Sequence, residues 1–254
     1  PGAATWVSLA DRLMEFPIAL AGVALGVVLT PLLSAAKTRG EGAEFSDLID
    51  WGLRLVLLLG LPCALAMGLF AEPLVAVLYH YGDKFTAADV AQTADAVRGY
   101  GIGLLGLLAI KILAPGFFAR QDTRTPVRVA VVVLVFTQLM NLVWVPILGA
   151  PGLALSIGLG ALLNAVWLLI GLRRAGAYQP TGGWLGFGLR LLLATAGMGL
   201  LLGALAWQLD WIGMGKWLRV GWMTLSLAGA ALLYFGLLWA LRLNLRELMA
   251  RRAS

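Results

Sequence analysis

The sequence predicts an all-α integral membrane protein with seven transmembrane helices, and three observations carry that prediction. Of the 254 residues, 61% are hydrophobic and only 13% charged, whereas soluble domains carry about a quarter charged residues. Seven apolar stretches recur along the chain, each long enough to cross about 30 Å of hydrocarbon at 1.5 Å per residue. The Lys and Arg residues fall between those stretches, so the net charge of +6 reads as a topology signal and implies no nucleic acid.

The stretches are Phe16–Ala36, Trp51–Tyr79, Val97–Phe118, Val127–Leu148, Gly152–Leu172, Trp184–Trp207 and Trp217–Leu241. A lipid-exposed strand would leave its backbone groups unpaired, so each is predicted to be helical. The first helix extends back to about Thr5 and contains Pro17, where a kink is expected. With the loop after the first helix placed in the cytoplasm, the cytoplasmic ends hold Lys37, Arg39, Arg54, Lys111, Arg120, Arg124, Arg128, Arg173, Arg174, Arg190, Arg242, Arg246, Arg251 and Arg252. The outer ends hold Arg12, Lys84, Arg98, Lys216 and Arg219. This bias puts the C-terminus in the cytoplasm. Trp144, Trp184, Trp207, Trp211 and Trp217 fall near the ends of runs, as an aromatic belt requires. The start at Pro1 and an odd number of helices entering from outside predict that this chain is a fragment, preceded by an odd number of further spans.

Cys63 and His80 are single residues of their kinds. They offer no intrachain disulfide and no ligand cluster for a metal.

Three features are candidates for chemistry. In Ser8–Pro17 (SLADRLMEFP), helical spacing puts Ser8, Arg12 and Glu15 on one face, continuing through Ala19, Gly22, Gly26 and Thr30. Gly22 and Gly26 form a GxxxG that permits close helix approach. A charge at the bilayer centre costs about 2.5–3.5 kcal/mol on insertion scales. Arg12 therefore faces a cavity, or it pairs with Glu15 at the outer interface. The second feature is Lys111–Pro126 (KILAPGFFARQDTRTP). Pro115 and Gly116 should bend or end the third helix, and Pro126 suits the first position of the next. Lys111 either snorkels to the cytoplasmic interface or lines a vestibule. The third is the polar set Gln138 and Asn141, then Ser156, Gly160 and Asn164, read as interhelical hydrogen bonding or as a cation site without a carboxylate. Gly199 and Gly203 are read as packing positions.

The segments ADRLMEFP, GVALGVVLTPLLS and APGFFARQDTRTP closely resemble the MurJ/MviN family of lipid II flippases. Similar spacing continues through Gln138–Asn141 and Gly152–Ser156, so the resemblance covers essentially the whole chain. It implies the second lobe of a MATE-like transporter of the MOP superfamily: residues 1–174 with five transmembrane helices, then residues 175–254 with two additional helices and a cytoplasmic tail. It further implies translocation of undecaprenyl-diphosphate-linked disaccharide-pentapeptide from the cytoplasmic to the outer leaflet of the bacterial inner membrane by alternating access. The partners implied are that lipid, membrane lipids and an N-terminal lobe of the same protein.

By the family pattern Arg12 matches a required cavity arginine, with Asp11 and Glu15 beside it and Lys111 as a further substrate-facing candidate. A guanidinium offers fixed donors that match a diphosphate. Glu15 either holds Arg12 before substrate arrives or helps release it. Asn141 and Ser156 match part of a family sodium site, but Val145 stands where its acidic residue is expected. The resemblance implies no cofactor, with energy from membrane potential or a monovalent cation. The last two helices resemble a pair forming a groove for the polyprenyl tail. The alternatives are a flippase or exporter of another lipid-linked glycan or amphiphile, since fold alone does not fix substrate, and an intramembrane enzyme. The enzyme would need converging catalytic groups, which the sequence does not display.

Overall fold

A computed structural model describes residues 2–81 and 84–243. Arg246, Arg251, Arg252 and the rest of the expected cytoplasmic tail lie outside the described residues, as does Pro1. All regular structure among the described residues is helical, and six helices are long and apolar enough to cross a membrane. The seventh predicted span, the first in the chain, is an unbroken helical rod of three parts: α1 (Ala3–Pro17), a π-helical segment (Ile18–Val23) and α2 (Ala24–Arg39). The irregularity expected at Pro17 takes this form. Proline has no N–H for the Leu13 carbonyl, and its ring crowds that carbonyl, so the chain leaves α-helical register directly after it.

Two helices begin more than two turns before their apolar runs. The helix α3 spans Gly42–Leu69 and α5 spans Ala87–Phe118. Polar residues shorten both apolar runs, but inside the fold they are neutralised. Asp50 and Arg54 form an i,i+4 ion pair in α3, and Asp95 and Arg98 form an i,i+3 pair in α5. A reciprocal cap between Thr86 and Asp89 opens α5. The single run Trp51–Tyr79 divides at Phe70 into α3 and α4 (Ala71–Tyr79). Pro73 explains the break, because within a continuous helix its ring would clash with the Leu69 carbonyl.

Pro115 and Gly116 do not end α5, which continues to Phe118. Pro115 deprives the Lys111 carbonyl of its helical donor, and that oxygen faces Gly26, where an added Cβ would lie 3.7 Å from it. The helix α6 (Arg124–Leu148) starts two residues before the expected proline. Pro126 thus occupies the first turn, where its missing N–H had no intrahelical partner. The remaining helices are α7 (Ala150–Arg174), α8 (Trp184–Gln208) and α9 (Lys216–Ala240).

The bundle is organised around α5, which packs on α1, α2, α3, α4 and α7. Its closest partner is α7, because three α5 glycines remove the Cβ layer. Gly103 lies over Gly158, Gly99 faces the Leu155 amide nitrogen and the Pro151 carbonyl, and a Cβ at Gly106 would sit 2.6 Å from the Ala161 carbonyl carbon. Backbone contact of this kind maximises dispersion where no hydrophobic effect drives helices together. By contrast, α6 packs mainly on α7 and leaves Leu134, Leu139, Leu142 and Ile147 more than half exposed, an apolar surface for lipid or a neighbour.

The helices α8 and α9 pack on each other, with α8 also on α3 and α9 on α4. Gly199 packs against Leu65 as expected, whereas Gly203 faces open space. Two of the belt tryptophans, Trp207 and Trp217, do point outward. Trp211 instead is buried against the edge of Phe70, and the Trp184 indole N–H is spent on Asp50.

Candidate functional site

The first helix is held at one side and open at the other. Ala10, Met14 and Pro17 are buried against the bundle. The Trp6 indole donates to Asp89 at 2.8 Å, and the Tyr79 hydroxyl donates to the Leu9 carbonyl at 3.3 Å. These bonds tie α1 to the start of α5 and the end of α4. On its other side Ser8, Arg12, Glu15 and Ala19 are exposed, and Asp11 is half-buried between the two sides.

The predicted stripe is therefore present over Ser8–Ala19 but does not continue unchanged to Thr30. The π-helical turn is wider than an α-helical turn and rotates the residues beyond it about the helix axis. Gly22 consequently turns inward against α5, where a Cβ would meet Leu108 Cδ2 at 3.3 Å and Lys111 Cγ at 3.4 Å. The expected close approach at Gly22 and Gly26 is thus an approach to Lys111. The lysine stem crosses Gly22 while the residue as a whole is exposed, about 15 Å along the rod from Arg12.

Arg12 and Glu15 do not form the alternative i,i+3 ion pair. Among the described residues, Asp11, Arg12, Glu15 and Lys111 make no hydrogen bond or ion pair within the chain, although Arg12 interacts electrostatically with Tyr79. Arg12 and two carboxylates on the rod, with Lys111 of α5 beside it, are thus presented with their hydrogen-bonding capacity unspent. Unpaired guanidinium and ammonium groups of this kind suit an anionic ligand.

Asn141 and Ser156 are brought to one level. Gly152 lies against the Trp144 carbonyl and Gly160 against Thr137, and each candidate is one turn from both of its helix's contact points. The Asn141 amide N–H donates to Gln138 Oε1 at 3.4 Å, while its buried Oδ1 accepts no hydrogen bond. Ser156 is buried and donates to the Gly152 carbonyl at 2.9 Å, leaving its lone pairs available. Two neutral oxygens fit part of a monovalent cation shell but supply no negative charge, and Val145 adds none. Among the described residues no cluster of three His, Cys, Asp or Glu side chains is present.

Sequence reasoning missed a second polar centre, where Asp50 is almost fully buried. Its carboxylate accepts from Arg54 Nε at 2.9 Å, Tyr178 Oη at 2.9 Å, the Thr181 hydroxyl at 2.6 Å, the Thr181 amide at 3.2 Å and the Trp184 indole at 2.7 Å. Arg54 also reaches Thr181 Oγ1 and the Gly182 carbonyl and stacks 4.9 Å over Trp184. Burial, reinforced by the bond to Asp50, raises the Tyr178 hydroxyl above its ordinary pKa. This centre fastens residues 178–184 to α3. At the opposite end Arg219, also buried, donates to the Ala76, His80, Ile212 and Met214 carbonyls, and between the two, midway along α3, Tyr234 Oη donates to the Leu58 carbonyl at 2.6 Å. The i,i+4 spacing of Asp50 and Arg54 was the one visible signal.

Fold and site together define a multi-pass membrane protein with a polar face left open on a helix otherwise packed into its bundle. The family model described as "Lipid II flippase MurJ" matches residues 1–222. Relatives include the lipid II flippase MurJ of Burkholderia cenocepacia, 50% identical over 94% of this chain and 47% of that protein. The probable lipid II flippase MurJ of Vibrio cholerae is 36% identical over 98% of this chain and 47% of its own length. A solved structure, "Lipid II flippase MurJ, inward closed conformation", superposes with a TM-score of 0.72 at 17% identity, covering 93% of this chain and 46% of that one; it supports the fold alone. The chain belongs to the MurJ family. It spans about half the length of the curated relatives it matches.

Proposed function

We propose that this chain supplies the second lobe and C-terminal helix pair of a lipid II flippase of the bacterial inner membrane. Residues 1–174 form the partial lobe and residues 175–254 the added pair and tail, with the C-terminus in the cytoplasm. The observation that carries the reading is the open α1 face, with Arg12 free of any ion pair among the described residues although Asp11 and Glu15 stand beside it. In a protein of about twice this length, the other lobe would stand across that face and close a chamber. Arg12, and Lys111 of α5 where its stem crosses Gly22, would meet the diphosphate of the undecaprenyl-linked precursor, while Asp11 and Glu15 limit how firmly it is held. The low dielectric of the protein and lipid walls around such a chamber strengthens the attraction. Rocking of the lobes then exposes the headgroup on alternate sides.

Coupling to the membrane potential or to a monovalent cation is part of this proposal. Asn141 and Ser156 would contribute oxygens to a cation, with the balancing charge coming from outside this chain. The polyprenyl tail would remain in lipid beside α8 and α9.

The test is Arg12→Ala in the full-length protein, scored by growth and by the leaflet in which the lipid-linked precursor accumulates. Accumulation on the cytoplasmic side is expected. Normal translocation would remove Arg12 from the mechanism.

A further inference from the structure

We propose that the groove between α3, α5, α7 and the start of α8 binds one acidic phospholipid, with an acyl chain in the groove and the phosphate on Arg173. This site is separate from the open face of α1. The groove encloses about 610 Å³ and is walled by Leu57 of α3, Ala109 of α5 and Val166 and Leu169 of α7. Gly106, packed directly on the α7 backbone at Ala161 and Leu162, closes its inner side.

The dimensions choose the occupant. From Leu162 to Arg173 the groove follows α7 for about 16 Å at helical rise. That is half of a hydrocarbon core about 30 Å thick, the depth of one leaflet. An acyl chain of a lipid in that leaflet fits this length, whereas a polyprenyl tail would overrun it. An apolar groove facing a bilayer fills with hydrocarbon in any case, so the specificity resides at the mouth.

Four residues carry polar groups at that mouth: Arg173, Tyr178, Thr181 and Trp184. The hydroxyls of Tyr178 and Thr181 and the indole of Trp184 all donate to Asp50. Arg173 makes no hydrogen bond or ion pair among the described residues, and Arg174 beside it is also exposed. The mouth therefore offers a cation and little else, which complements a phosphate. A smaller groove of about 390 Å³ between α3, α5 and α8 carries Arg98, but that guanidinium is already paired with Asp95 and bonded to the Gly68 carbonyl. Of these two apolar grooves, charge complementarity singles out the first. A lipid seated there rests on Thr181 and Trp184 and so braces the segment that joins α7 to α8.

The experiment is native mass spectrometry of the full-length protein, titrated in detergent with phosphatidylglycerol or phosphatidylethanolamine. Several-fold preferential retention of phosphatidylglycerol is expected. Arg173→Gln should bring the ratio near one, while Arg124→Gln, at another basic site, should leave it unchanged. Val166→Trp, at a half-exposed position, should fill the groove and lower retention of both lipids. Unchanged preference in Arg173→Gln, or unchanged retention in Val166→Trp, overturns the proposal. So does displacement of the bound phospholipid by undecaprenyl diphosphate, which would make the groove a tail site. None of these readouts depends on transport.

Discussion

The face of α1 and the Asp50 centre use the same residue types in opposite ways. At Asp50 five donors converge on one carboxylate, and Arg54 divides itself between that carboxylate, the linker and an aromatic ring. Along α1 and at Lys111, four charged side chains make no such bonds among the described residues. A saturated centre in a membrane protein holds helices together. An open one is stable only where water or a ligand completes it. The difference separates fastening from function without reference to position in the sequence.

That contrast is broken most strongly at Asp50. Asp50→Ala should destabilise the full-length protein by about 3–5 kcal/mol, since it strands a half-buried guanidinium and several buried donors. Unfolding in mixed detergent micelles measures this, and a loss under about 1 kcal/mol would mean that the centre is dispensable. Gly103→Leu should cost about 1–3 kcal/mol by forcing α5 and α7 apart. The same unfolding assay applies, with crosslinking across Gly99 and Leu155 reporting the separation. Tyr234→Phe removes one bond to the Leu58 carbonyl and should cost about 1 kcal/mol.

The smallest effect belongs to the α5–α6 turn. Asp122 accepts from the Thr125 hydroxyl at 2.7 Å and the Thr125 amide at 3.0 Å, and the hydroxyl bond chiefly lowers its pKa. A carboxylate lowered in the folded state contributes stability above its ordinary pKa of about 3.9 and loses it as pH falls through the lowered value. Exchange of the Thr125 amide should accelerate, relative to its intrinsic rate, only in acid below the ordinary carboxylate range. In Asp122→Asn that acid dependence should vanish.

Much of the fold was legible because apolar length is a strong signal in a bilayer protein. The boundaries at Gly42 and Ala87 were hidden, since Asp50 and Asp95 look like loop residues until their pairing with Arg54 and Arg98 is known. The break at Phe70 was readable from Pro73, and the persistence of α5 past Pro115 was not, because it depends on Gly26 lying opposite the freed carbonyl. In the site, the stripe Ser8–Arg12–Glu15 follows from spacing alone. Its interruption at Gly22 required the π-helical turn, and the position of Lys111 beside that turn required a second helix. The Asp50 centre joins residues more than 120 positions apart, a distance over which one sequence carries no local pattern.

The most direct test places a cysteine at position 12 of the full-length protein on a cysteine-free background and measures labelling by a membrane-impermeant thiol reagent. Rapid labelling, slowed by the lipid-linked precursor, is the predicted result, with Leu134→Cys on the exposed apolar surface of α6 unreactive as the control. Equal protection of positions 12 and 134 would place Arg12 among acyl chains and contradict the account.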